Sequence, residues 1–225
     1  MKRILKKLLA VFAIIGLFLL SQIPDIVMLV LEKRTNHLDL GQTLIILMMQ
    51  LCVIVGFYFL ARKKELISPG TQYWLSWKSV KIAVLGILTL FVVRFIGVMI
   101  LILEGKTTTN NQENVLKLFD SSPLLLLFVM IVIMAPLTEE IIFRGLIPKL
   151  FSKRFEGLGF GLGTLLFSLA HSPTDIGSFV IYAGMGAVLA VICYRTKHLE
   201  YSIWVHALNN GLSFFQILLA LFLKK

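Results

Sequence analysis

Charge is what this chain has least of. Only 15% of its 225 residues are Asp, Glu, Lys or Arg, against 58% that are hydrophobic, and the mean hydropathy is +0.89. An ordinary globular domain carries about 25% charged residues, and a soluble chain this short of polar groups could not cover its apolar surface. Cysteine is almost absent. Cys52 and Cys193 each lie in an apolar run with no partner at metal or redox spacing, and both read as inert core residues. Strand-like alternation is missing as well. The apolar runs are long and continuous, which excludes membrane β-strands and leaves helices, whose backbone bonds are closed within each segment. A basic stripe is also lacking. The net charge is +10, but the cations gather in short clusters beside apolar runs without aromatic interleaving, so anionic lipid is the expected partner and nucleic acid is not.

What is present reads as an all-α, polytopic membrane helix bundle of about seven transmembrane helices. They fall at about 8–31, 42–61, 80–103, 122–150, 157–170, 176–194 and 201–223. The first is too long for a secretory signal and lacks a small-residue cleavage site, and Pro24 predicts a kink between Ser21 and Asp25. The stretch 62–78 holds a Pro69-Gly70 turn followed by Tyr73, Trp74 and Trp77, an interfacial aromatic belt. The Thr- and Asn-rich stretch 104–122 reads as a polar loop. It divides an N-terminal three-helix part, 1–121, from a four-helix part, 122–225, that carries nearly all the chemistry. Gly157, Gly159, Gly161 and Gly163 predict close helix packing around the fifth segment. With the N-terminus in the cytoplasm of a multi-pass cell-membrane protein, inner segments hold 14 Lys and Arg. Six lie outside: Lys33, Arg34, Lys106, Lys117, Lys224 and Lys225.

Ionisable side chains inside membrane helices mark function by default, because burying them costs several kcal/mol. Here they are Arg94, Glu139, Glu140, Arg144, His171 and His206, with Asn209 and Asn210 beside the last and Asp25 nearer an edge. Adjacent helical residues point about 100° apart, so Glu139 and Glu140 face different neighbours. Glu140 and Arg144 are four apart and meet as an ion pair. Glu139 is left without an intrahelical partner, which suits a general base. His171 precedes Ser172-Pro173 and closes a helix, while His206 and Asn210 share a face as two donors. Arg94 pairs with an acid in the bundle or snorkels, and carries no catalytic role.

A carboxylate and a histidine can hold a water and take its proton, and a His-Asn pair can donate to the oxygen that turns negative when that water attacks a carbonyl. The chain lacks a His-Glu-x-x-His helix, a Gly-x-Ser-Gly serine motif and a Gly-x-Gly-Asp aspartyl motif. No cofactor is required, although one carboxylate and two histidines (Glu139, His171, His206) could hold Zn²⁺ with a position open to water.

Glu139-Glu140-x-x-x-Arg144, Phe167-x-x-x-His171 and His206-x-x-x-Asn210, in this order on successive helices, resemble the three motifs of the CAAX prenyl protease and bacteriocin-processing family, also called CPBP or Abi intramembrane proteases. The resemblance covers about 122–223. It implies that Glu139 and His171 activate the water, that Glu140 and Arg144 are structural support, and that His206 and Asn210 form the oxyanion site. It also implies an endopeptidase acting on a membrane-associated peptide or protein, glutamate-dependent or metal-dependent, in bacteriocin processing or self-immunity. Two other classes use the same residues: a transporter built on the carboxylates, and a non-catalytic immunity or scaffold protein.

Overall fold

The computed structural model describes residues 2–35, 37–74 and 76–223. Lys224 and Lys225, counted above among the outer cations, and the side chains of Lys2 and Arg3 lie outside the described residues. All regular structure among the described residues is helical. We number α1 (Lys2–Thr35), α2 (Leu40–Lys63), α3 (Trp77–Leu103), α4 (Asn110–Ser121), α5 (Leu124–Leu150), α6 (Glu156–Ala170), α7 (Ile176–Thr196) and α8 (Leu199–Leu223). The helices begin where the sequence supplies caps. Asp39 accepts from the Gln42 amide at 2.7 Å while the Gln42 side chain accepts from the Asp39 amide, and Asp175 accepts from the Ser178 amide at 2.6 Å.

Six helices, α1, α2, α3, α5, α7 and α8, are long and apolar enough to cross a membrane. The expected seventh, α6, has 15 residues and rises about 22 Å, less than the hydrocarbon thickness of about 30 Å. It runs antiparallel to α7. Glu156 at its start pairs with Lys197 just past the end of α7 at 2.8 Å, and a short turn joins its end to the start of α7. That start is held beside the end of α3, where Lys106 bonds Asp175 at 2.9 Å and Glu104 accepts from the Ile176 and Gly177 amides at 3.0 Å.

Two other expectations need correction. The stretch 104–122 is not all loop. Thr109 caps a helix, and Val115, Leu118 and Phe119 turn one apolar face of it onto the core. Cys193 is buried, but Cys52 is exposed. Pro24 lies inside helix α1, which is assigned as one helix from Lys2 to Thr35. The interfacial aromatics divide: Tyr73 stacks on His198 at 3.8 Å and the Trp74 carbonyl accepts from Trp204 Nε1, whereas Trp77 is 72% exposed.

The backbone of α5 is shaped by two prolines. An α-turn bonds residue i to i−4 and a π-turn bonds it to i−5, while proline has no N–H and its ring collides with the i−4 carbonyl. Ahead of Pro136 the chain opens into a π segment, Val129–Met134, closed by the Ala135 amide on the Met130 carbonyl. The next donor would be Pro136, so the Ile131 carbonyl is left over. The pattern repeats ahead of Pro148: Ile141–Leu146 is π-helical, the Ile147 amide bonds the Ile142 carbonyl at 3.0 Å, and the Phe143 carbonyl is left over.

Gly163 packs against that Phe143 carbonyl, where no Cβ has room, and a Cβ on Gly159 would stand 2.7 Å from Pro148 Cα. Gly157 and Gly161, on the other side of α6, have nothing within 4 Å. The glycine pattern thus works at two positions of four. Helices α3 and α7 approach as closely, since a Cβ on Gly177 would lie 2.9 Å from the Gly97 carbonyl oxygen. The largest buried cluster draws Met28, Ile46 and Phe57 from 1–121 and Leu126, Phe143 and Phe167 from 122–225, so both parts share one core.

Gly163→Ala forces a methyl into a backbone carbonyl and should cost about 1–3 kcal/mol. Gly161→Ala, with open space around it, should be neutral or stabilising by up to about 1 kcal/mol. Thermal unfolding of both purified variants in detergent checks the contrast.

Candidate active site

The deepest polar contact is the pair that spacing predicted. Glu140 Oε1 accepts from Arg144 at 2.8 Å, and neither side chain has exposed surface. Two residues of α8 complete the carboxylate: His206 Nδ1 lies 2.9 Å from Oε1, and Ser202 Oγ donates to Oε2. Arg144 also donates to the Gly186 carbonyl at 3.2 Å and lies 4.2 Å from the Phe167 ring centroid. A carboxylate facing a guanidinium accepts and does not donate, so His206 Nδ1 carries a hydrogen and donates to it. The second ring nitrogen, Nε2, then faces Glu139 Oε2 at 3.8 Å, beyond hydrogen-bonding distance.

Glu139 is the contrast to its neighbour. Set about 100° round the helix, it misses Arg144, and its buried Oε2 has no hydrogen-bond partner. Asp25 of α1 also has a buried oxygen, Oδ1, without a partner. Sequence reasoning put Asp25 nearer an edge, whereas this oxygen is buried in a helix that packs on α5.

His171 follows the last residue of α6. Ser172 takes a left-handed conformation, φ 49°, and Pro173 follows, so the helix cannot continue. Because α6 is short, this end stays within the bundle. His171 Nδ1 donates to the Phe167 carbonyl at 2.8 Å, and its ring lies between Phe167, 4.5 Å away, and Tyr182, stacked at 4.5 Å. The Nε2 side remains an acceptor. Asn210 Nδ2 donates to the Ile131 carbonyl, left over by Pro136, at 3.0 Å. Its Oδ1 accepts from Asn209 at 3.2 Å, so one N–H of the Asn210 amide stays free.

His171 and Asn210 line a cavity of about 470 Å³ between α3, α4, α7 and α8. Glu139 and His206 lie deeper, and Phe167 stands between the groups, 4.5 Å from the His171 ring and 5.8 Å from the His206 ring. The structure therefore gathers Glu139, Glu140, Arg144 and His206 in direct contact or close to it, with His171 across the Phe167 ring and Asn210 one turn beyond His206 on α8. Ser202 escaped the sequence reading, although it stands four residues before His206 on the same face of α8. The partner of Arg94 is not an acid: it donates to Ser213 at 3.2 Å. Among the described residues no three His, Cys, Asp or Glu side chains converge as metal ligands, and Glu139, His171 and His206 do not form such a set.

The fold is that of a multi-pass helical membrane protein with a buried charge network beside a cavity. Residues 121–212 match the family described as type II CAAX prenyl endopeptidase Rce1-like. Over 212 residues the chain is 29% identical to UPF0177 protein YvdC of Lactococcus lactis subsp. lactis, covering 92% of this chain and 77% of that one. It is 30% identical over 129 residues to the membrane-embedded CAAX protease MroQ of Staphylococcus aureus, covering 54% of this chain and 51% of MroQ. UPF0177 protein YaiF of the same Lactococcus is 27% identical over 229 residues, 95% of this chain and 99% of that one. No solved structure matches. Family and relatives together support an intramembrane protease.

Removing Arg144 leaves the buried Glu140 charge without its guanidinium. Arg144→Ala should therefore cost about 3–5 kcal/mol and Ser202→Ala about 1 kcal/mol. Glu139→Gln, which breaks no bond, should leave the melting temperature in detergent unchanged or raised.

Proposed function

We propose that the chain is an intramembrane endopeptidase in which Glu139 is the general base for water attack on a peptide bond. The observation that carries this is the pairing of opposites on adjacent residues: Glu140 is saturated by Arg144, His206 and Ser202, while Glu139 keeps a buried, unpartnered oxygen 3.8 Å from His206 Nε2. A structural carboxylate is bonded; a base must be free.

In this reading the Phe167 ring turns aside as the substrate enters by the cavity, and the water gives one hydrogen bond to Glu139 and the other to His171 Nε2. Glu139 takes the proton as the water oxygen bonds the carbonyl carbon. The carbonyl oxygen, now negative, accepts from His206 Nε2–H and the free N–H of Asn210. His206 donates there only with both nitrogens protonated, and Glu140 behind Nδ1 stabilises that cation as a carboxylate does in a catalytic triad. As the C–N bond breaks, Glu139 returns the proton to the leaving amine. Every step uses side chains of the chain itself.

The substrate is a peptide or protein segment held at the membrane. The N-terminus faces the cytoplasm in this reading, as the cation bias suggests. Processing of small secreted peptides such as bacteriocins, or self-immunity against them, is the biological setting that the resemblance favours.

Glu139→Gln should lower cleavage of peptides by protein reconstituted in vesicles about 10²- to 10⁴-fold, and Asn210→Ala about 10²- to 10³-fold. Mass spectrometry of the products measures both. Full activity of Glu139→Gln on a peptide that wild type cuts would refute the mechanism.

A further inference from the structure

The cavity beside His171 and Asn210 has an unbalanced charge. Arg94 of α3 lines it, and no Asp or Glu does among the described residues. The rest of the lining is apolar, as at Leu90, Val98 and Ile181, or neutral and polar, as at Thr108, Gln112 and Ser213. Arg94 donates to Ser213 at 3.2 Å and has no carboxylate within 4.0 Å among the described residues. Arg144, by contrast, meets a carboxylate, a carbonyl and an aromatic face, and only its Nε is buried without a partner.

An unpaired arginine in a membrane helix costs several kcal/mol. A guanidinium offers five donors in a planar fork that matches a carboxylate, and one of its bonds here goes to a neutral hydroxyl. Arg94 stands about nine residues before the end of α3 at Leu103, roughly 14 Å along the axis, too deep to reach that end by snorkelling. Its charge is directed into the cavity, where apolar walls weaken screening and strengthen attraction to an anion.

We propose that Arg94, oriented by Ser213, is a carboxylate-binding subsite that selects substrates with an acidic group near the cleaved bond. Resting on the proteolytic reading above, this gives its substrate a chemical class: a peptide whose Asp or Glu side chain, or C-terminus, lies in the cavity while the scissile carbonyl meets His206 and Asn210. The occupant thus completes a guanidinium that the protein leaves partly unbonded.

The test uses the full chain in phosphatidylcholine vesicles and one random-sequence library of short synthetic peptides in matched forms. One pair differs in a free or amidated C-terminus, the other in Asp and Glu against Asn and Gln, so the two arms separate a terminal from a side-chain carboxylate. Wild type should favour one acidic form, mainly through KM. Arg94→Gln should raise KM for that form about 10- to 100-fold and leave its neutral counterpart unchanged. Arg94→Lys should retain part of the preference and Ser213→Ala should weaken it. Anisotropy of labelled peptides on the Glu139→Gln protein, with and without Arg94→Gln, reads the subsite without turnover. Equal binding of acidic and neutral forms, or a preference untouched by both Arg94 variants and by Ser213→Ala, overturns the proposal. A lesion that appears only when phosphatidylglycerol is added would assign the site to lipid phosphate and overturn it too. Acid-selective binding that depends on Arg94, with no cleavage by wild type, would sustain the subsite and sink the proteolytic reading alone.

Discussion

Glu140 and Arg144 form an ion pair with no exposed surface inside a membrane helix, and the geometry of the site follows from what is needed to keep it there. Two charges out of water are tolerated when they pair with each other and further polar groups take up most of their remaining bonding capacity. The carboxylate therefore collects His206 and Ser202 from α8, and the guanidinium collects the Gly186 carbonyl from α7 and the Phe167 face from α6. One pair on α5 ties three other helices to it. The same bonds decide two things the proposed chemistry needs. They place a hydrogen on His206 Nδ1, so that Nε2 is the nitrogen turned to Glu139. They also use up Glu140 entirely, so that the neighbouring carboxylate is the one left free.

The second constraint is backbone, not charge. Pro136 and Pro148 each follow a π-helical stretch, and each leaves a carbonyl without a helical donor. The first, at Ile131, anchors Asn210, and the second, at Phe143, meets Gly163. In lipid an unbonded carbonyl is expensive, so α6 and α8 are drawn onto α5 at these two points. The shortness of α6 adds a third effect: its end, with His171, stays within the bundle beside a cavity bounded by the polar turn after α3. Deep charge network and open cavity meet at Phe167, whose ring touches both histidines.

Much of this was legible before any coordinates. Composition alone required a helical membrane protein, because in lipid each backbone amide must be bonded within its own helix. The Glu140-Arg144 pair and the isolation of Glu139 followed from 3.6 residues per turn, and the order of the three motifs carried the family. Less was legible where a segment's fate depended on its neighbours. The stretch holding α4 read as loop because its Thr and Asn outweighed three apolar residues whose value comes from the core beneath them. The glycines of α6 read as one stripe, but two of them face open space.

What tertiary structure decided was the rotation and depth of each helix. That Ser202 and His206 face Glu140, that Phe167 separates two histidines and that Arg94 faces a cavity without an acid among the described residues follow from packing between residues far apart in the chain. A helix in water shows its inner face by hydrophobic periodicity. A helix in lipid is apolar on both faces, so the sequence could name the polar residues but not the directions in which they point.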